Sequence, residues 1–239
     1  FDTDRIKQYV FATDTLKEIR GASHLLDILN LEMMRNTVEQ KFRGTRYYSA
    51  GGSGLFSIDT ANADRAIQQI QQMYAEKTGG AATITGVTVA LPDDFDEQTS
   101  NVQEFWRLLG YRLQAQKARN REYHRAVTHP LLYTSDTDGI FYAVQQQDDE
   151  FLSRASRCKR DENDRIRRDA EIRGEPLPDD FDAIAQATSP QNYFALLVAD
   201  GDGLGQILAT CSTLPAIQTM AENIYDILKK AVQQTAKNL

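Results

Sequence analysis

Apolar positions early in the chain recur at helical spacing. Leu16, Ile19, Leu26, Leu29 and Met33 predict a helix from about residue 15 to Phe42, stopped by Gly44. Thr15-Leu16-Lys17-Glu18 has capping-box order, in which the Thr hydroxyl and the Glu carboxylate satisfy each other's backbone donors. Two short aromatic and β-branched runs, residues 46–50 and 55–58, flank Gly51-Gly52-Ser53-Gly54 and predict a hairpin. A second helix carries Ala63, Ala66, Ile67, Ile70, Met73 and Tyr74 on one face and ends at Gly79-Gly80. Thr83 to Leu91 reads as a strand, bulged at Gly86 and closed by Pro92. Helix, hairpin, helix and strand need one further strand in front to make a βαββαβ unit, and that strand is expected ahead of Phe1.

The middle of the chain is patterned less clearly. Residues 97–127 predict a long helix with the narrow stripe Val102, Phe105, Leu109 and Leu113. Its end, Lys117 to Arg125, is basic and polar, either a solvated face or a strip that meets RNA or a partner subunit. Leu131–Tyr133 and Ile140–Val144 suggest a short strand pair around Asp136-Thr137-Asp138-Gly139. Arg154 to Arg173 carries many charges and few large apolar residues, so it reads as a solvated helix or a mobile loop. Pro176, Pro178 and Asp179-Asp180 mark a linker. Tyr193 to Ala199 is the most hydrophobic run and predicts a buried strand. A last helix, about 214–236, aligns Ile217, Met220, Ala221, Ile224, Ile227, Leu228, Ala231 and Val232 for packing on a sheet. The expected division is a first domain over 1–95, a helical and irregular linker over 96–188, and the start of a second domain over 189–239.

Composition narrows the class. With 41% apolar and 26% charged residues the 239-residue chain is an ordinary globular protein rather than a disordered one. It lacks a run of about 18 apolar residues and a basic-then-apolar leader, so a cytoplasmic protein without a membrane span is expected. Two cysteines, Cys158 and Cys211, cannot form a disulfide framework or a four-cysteine zinc site, and no zinc is expected. The formal net charge of −7 argues against non-specific nucleic-acid binding as the main task. A first residue other than Met suggests a chain trimmed at the front.

The most informative pattern is a repeat. Asp2-Thr3-Asp4-Arg5-Ile6-Lys7-Gln8-Tyr9-Val10 matches Asp200-Gly201-Asp202-Gly203-Leu204-Gly205-Gln206-Ile207-Leu208 at an offset of 198. Both read D-x-D-x-apolar-x-Gln-x-apolar, and both precede a predicted helix after a Thr-containing gap. If the halves are duplicates, the first is expected to lack its opening strand and the second everything after its helix.

A strand ending in Asp-x-Asp places two carboxylates on one face, because the side-chain period is two. Asp200, the Gly201 carbonyl and Asp202 form a hard oxygen donor set suited to Mg²⁺ or Mn²⁺, and Gly201 allows close approach of a phosphate. Two such ions would clamp a nucleotidyl transfer. The competing reading is a turn or helix N-cap, where Asp is common for local reasons. A calcium loop is disfavoured, because no Glu stands at its twelfth position. The Gly51-Gly52-Ser53-Gly54 tip holds no carboxylate, so the first unit should be metal-silent, its glycines either a tight turn or a backbone cradle for nucleotide. His24, His124 and His129 lack partners at metal-ligand or triad spacing.

The runs from Asp2 to Leu26, from Tyr47 to Phe56 and from Tyr193 to Leu208 together resemble the two palm domains of the large subunit of type III CRISPR effector complexes. The similarity spans most of the chain apart from 130–190. It implies an α+β protein with two ferredoxin-like palms facing each other around ATP, the second making cyclic oligoadenylate with Mg²⁺ in antiviral defence. On that basis Asp200 and Asp202 are the catalytic acids, and Asp2 and Asp4 are their counterparts in a degenerate first palm. Gly203, Gly205, Arg20, Ser23, Gly51, Gly52 and Ser53 are the expected nucleotide contacts, with other complex subunits and guide or target RNA as partners. The family's Gly-Gly-Asp-Asp hairpin, linker zinc cysteines and leading HD nuclease domain do not occur in these residues, so this chain alone is expected to be inactive. Two further readings stand beside this one: a non-catalytic palm-pair scaffold, and a stand-alone cyclic-nucleotide synthase of an anti-phage system.

Overall fold

The computed structural model describes residues 1–120, 131–147, 149–193 and 203–238. The protein is a mixed α+β structure around a small antiparallel sheet. Four strands build it: β1 (Asp2–Asp4), β2 (Thr45–Ala50), β3 (Ser53–Ser57) and β4 (Thr83–Thr85), in the order β2-β3-β1-β4. Helices α1 (Ile6–Val10) and α2 (Leu16–Ile28) lie between β1 and β2, and α3 (Thr60–Lys77) lies between β3 and β4.

The opening strand is therefore not missing from this unit. It is the acidic motif itself, with Asp2, Thr3 and Asp4 opposite Thr85, Ile84 and Thr83 on one side and Asp2 opposite Ser53 on the other. A three-residue strand with two carboxylates has no hydrophobic signature, and only its pairing on both edges identifies it. The same shortness limits β4, which was expected to reach Leu91 but ends at Thr85, where its partner ends. Gly86 follows because a Cβ there would press on the Phe1 ring and Ile67. At the hairpin, Gly51 and Gly52 form a two-residue turn with φ of 60° and 89°. Positive φ at both positions matches the twist of the strands, so Ser53 and Gly54 join β3 rather than the loop.

Helix α2 is the hub. It continues through π-helical segments, Leu29–Met34 and Thr37–Lys41, and delivers Ala22, Leu25, Leu26, Leu29, Met34 and Val38 to a core shared with Ile70, Tyr74 and Ile84. Each large side chain buried this way is worth about 1.5–3 kcal/mol relative to exposure. The capping box does not form. The Thr15 hydroxyl pairs with that of Thr13 at 2.8 Å, and Glu18 turns into the interior, where Oε1 accepts from Arg160 Nε at 2.8 Å.

Arg160 belongs to α5 (Arg154–Ile172), the segment expected to be a solvated helix or a mobile loop; it is a helix, but not a solvated one. It packs along α2 instead. A Cβ on Gly21 would collide with the Lys159 carbonyl, so glycine sets the closeness of the two helices. Lys159, Arg160 and Asn163 are buried because each has a partner across the contact: Lys159 Nζ donates to the Tyr9 carbonyl at 2.8 Å, and Asn163 Oδ1 accepts from Arg20. Burying polar groups is costly unless they are paired, and here the pairs lie some 140 residues apart in sequence.

The rest surrounds this frame. Helix α4 (Gln103–Asn120) begins later than expected, and residues 121–127 of the predicted helix lie outside the described residues. The strand pair expected at 131–133 and 140–144 survives as a bridge between Thr134 and Tyr142, while the ladder forms between β5 (Ala143–Gln147) and β6 (Glu150–Ser153). A short α6 (Phe181–Gln186) occupies part of the expected linker. Helices α7 (Leu204–Ala209) and α8 (Leu214–Asn238) close the chain. Most of the predicted strand, from Phe194 to Ala199, lies outside the described residues. Among the described residues no helix is long and apolar enough to cross a membrane.

Replacing Arg160 with Met leaves Glu18 buried and unpaired, with an expected loss of about 3–5 kcal/mol in urea unfolding. The double variant Glu18→Met/Arg160→Met is expected to recover most of that loss, because neither charge then remains.

Candidate functional site

Alternation along β1 sends Thr3 into the core and leaves Asp2 and Asp4 together on the opposite face. Between the two carboxylates stands the ammonium of Lys117, near the end of α4. Nζ lies 2.5 Å from Asp2 Oδ2 and 3.1 Å from Asp4 Oδ1, with the Thr3 carbonyl at 3.4 Å. Asp4 also accepts hydrogen bonds from the hydroxyls of Thr83 (3.0 Å) and Thr85 (2.9 Å), which β4 presents on the same side. Burial works against the charge on Lys117, but the hydrogen bonds and charges of Asp2, then Asp4, outweigh it and hold the ammonium above the usual lysine value. The site is thus a cradle of two carboxylates and one carbonyl around a single positive charge.

Behind β1 a polar cluster fixes the strand. Tyr74 donates to Asn30 Oδ1 at 2.7 Å, Asn30 Nδ2 donates to the Leu26 carbonyl at 2.7 Å, and the Thr3 hydroxyl lies 3.5 Å from both Asn30 Oδ1 and the Tyr74 oxygen. Ser49 donates to the Asn30 carbonyl. Asn30 sits in the π-helical stretch.

The second copy of the motif is seen from its exit onward. Asp200, Gly201 and Asp202 lie outside the described residues. Arg5 and Gly203, at equivalent positions, are both left-handed, with φ of 51° and 70°, and each precedes a short helix. The short helices start at Ile6 and Leu204 and the long ones at Leu16 and Leu214, 198 residues apart in each case. The first turn of the long helices repeats too: Ile19 N donates to the Thr15 carbonyl and Ile217 N to the Thr213 carbonyl, both at 3.1 Å. A shared offset in both sequence and helix starts means that no residue is inserted between the motif and its second helix in either copy.

The surroundings of the two copies differ. Leu214 and Ile217 at the start of α8 are buried with Tyr47 and Val102, against the first sheet and α4. Further along, Ile227 and Val232 are 65% and 69% exposed, whereas their equivalents Leu29 and Met34 are fully buried. The expected packing of α8 on a sheet thus holds only at its N-terminal end among the described residues.

The other expected contacts are scattered. Gly52 and Ser53 lie beside β1: Thr3 N donates to the Gly52 carbonyl at 2.6 Å and Ser53 pairs with Asp2. A Cβ on Gly52 would strike Ile6, while Gly51 is open at the tip. Arg20 is engaged elsewhere, donating to Asn163 Oδ1 at 3.2 Å and to the Pro178 carbonyl at 2.8 Å, and Ser23 is exposed on α2. Gly203 and Gly205 are exposed, and no atom crowds Gly205. His24 pairs with Glu162, Nδ1 to Oε1 at 2.6 Å, and both cysteines are free. Among the described residues no group of three or more His, Cys, Asp or Glu side chains could hold a metal ion.

Lys117, Thr83 and Thr85 escaped the sequence reading. Lys117 opens the basic stretch and looked like its neighbours, but it faces the acidic pair. Thr83 and Thr85 share a face by simple alternation, a signal that becomes useful only once β4 is known to pair with β1. No protein-family model matches the chain, and no curated protein matches it either.

The buried hydroxyls give this region a measurable pH signature. Burial pushes Tyr74 and Tyr47 up from 10.0 to about 12. A folded-state value above the unfolded one means that the contribution to stability is complete below pH 10 and is lost as the pH rises toward 12. Chemical denaturation at rising pH is expected to show this loss, and Tyr74→Phe to reduce its size by about 2–3 kcal/mol.

Proposed function

We propose that the chain carries two ferredoxin-like palm units of a nucleotidyltransferase akin to the large subunit of type III CRISPR effector complexes, or to a stand-alone relative. In this reading the second unit uses ATP and Mg²⁺ to make a cyclic oligoadenylate messenger, and the first supports it without carrying out the reaction. The observation that carries the reading is the common 198-residue offset of the two acidic motifs, their left-handed exits and both following helices. The βαββαβ order of the first unit, with its β2-β3-β1-β4 sheet, supports the palm assignment.

The first copy also supports the donor chemistry assigned to the second. There, two carboxylates and a carbonyl surround one positive charge, and Asp200, the Gly201 carbonyl and Asp202 supply the same oxygen types. Mg²⁺ bound there would lower the pKa of a ribose hydroxyl and neutralise charge on the transferred phosphate. Asp200 and Asp202 would hold the ion, and Gly203 and Gly205 beside them are exposed. The first unit is the non-catalytic partner, because Lys117 already provides its cation and its Gly51-Gly52 turn offers no second carboxylate pair.

Titration calorimetry with ATP tests the assignment. Binding is expected to depend on Mg²⁺ and to weaken at least about tenfold in Asp200→Asn/Asp202→Asn, the scale of loss seen even for outer-shell changes at metal sites. Mg²⁺-dependent binding that is unchanged in this variant, or no Mg²⁺ dependence at all, overturns it.

A further inference from the structure

We propose that Lys117 is a built-in counter-ion that occupies the cation position of the first D-x-D motif and so excludes divalent metal from Asp2 and Asp4. The ammonium meets the same three oxygen types that the second motif offers a metal: carboxylate, backbone carbonyl, carboxylate. Its three N–H donors match three acceptors, Asp2 Oδ2, Asp4 Oδ1 and the Thr3 carbonyl. Because the ammonium contacts all three oxygens, a free ion at this position must displace it.

The ammonium is also held there by the rest of its helix. Trp106 of α4 packs against Tyr48 of β2 with ring centroids 6.3 Å apart, and Arg112 donates to the Thr88 carbonyl. A tethered group presents itself at an effective concentration on the order of millimolar or more, enough to compete with a free divalent ion for two carboxylates. Asp4 is further committed by the hydroxyls of Thr83 and Thr85, which aim its carboxylate at Lys117. The inference concerns only the first motif and does not rest on the nucleotide-transfer reading.

The test is Mn²⁺ binding followed by electron paramagnetic resonance, in an Asp200→Asn/Asp202→Asn background that silences the second motif. Lys117→Met and Lys117→Gln are expected to gain one Mn²⁺ site, tighter than in the unsubstituted background by at least on the order of tenfold, as removing a unit charge a few Å away requires. Adding Asp4→Asn should abolish the gain. Folding is checked by circular dichroism and by the emission of Trp106, the single tryptophan. The proposal is overturned if a folded Lys117 variant gains no site, or if the background already binds Mn²⁺ in an Asp4-dependent way. Loss of fold in both variants also overturns it, since Lys117 would then be a structural ion pair. Failure of the nucleotide-transfer reading would appear instead in the calorimetry of Asp200 and Asp202, which this background leaves out.

Discussion

Three residues of backbone occupy the centre of the sheet, and their pleat cannot separate the carboxylates of Asp2 and Asp4. With Thr3 buried, both acids emerge on the same face within reach of one cation. Two like charges held that close need a positive group, and α4 supplies it through Lys117. Much of the first unit follows from this constraint. Thr83 and Thr85 orient Asp4, Asn30 and Tyr74 hold the reverse side of the strand, and the Gly51-Gly52 turn closes β3 tightly enough to pair with Asp2.

Helix α2 joins that sheet to the rest of the protein by having two buried faces. One carries the apolar side chains of the core. The other is narrow at Gly21 and charged at Glu18, and it receives an equally charged helix, α5. A contact of this sort does little for stability by mere attraction, because both ions lose water on burial. A chain that misplaces α5 would bury Glu18 without Arg160, which disfavours that arrangement.

The two D-x-D segments show how one local pattern yields different surroundings. The left-handed residue, the short helix and the start of the long helix recur at one offset, since these depend on neighbouring residues. Burial does not recur: Leu29 and Met34 are enclosed, while Ile227 and Val232 face outward. Enclosure depends on the sheet lying against the helix, which for α2 is made by β1 to β4.

By itself the sequence determined the two long helices of the first unit, the Gly-Gly hairpin and the repeat, because period, turn chemistry and identity at fixed spacing are local properties; the short α1 was not read from it. It misread Glu18 as a cap, missed the buried face of the helix over Arg154 to Ile172, and placed β1 ahead of Phe1. In each case the deciding partner is distant: Arg160 for Glu18, α2 for α5, and β3 and β4 for Asp2 to Asp4. The roles proposed for Asp200 and Asp202 follow from the family that the motif residues resemble. The role of Lys117 came only from the tertiary structure. An ammonium 113 residues from Asp4 becomes its counter-ion only when α4 is laid beside the sheet, and nothing in the local pattern of a basic helix end encodes that approach.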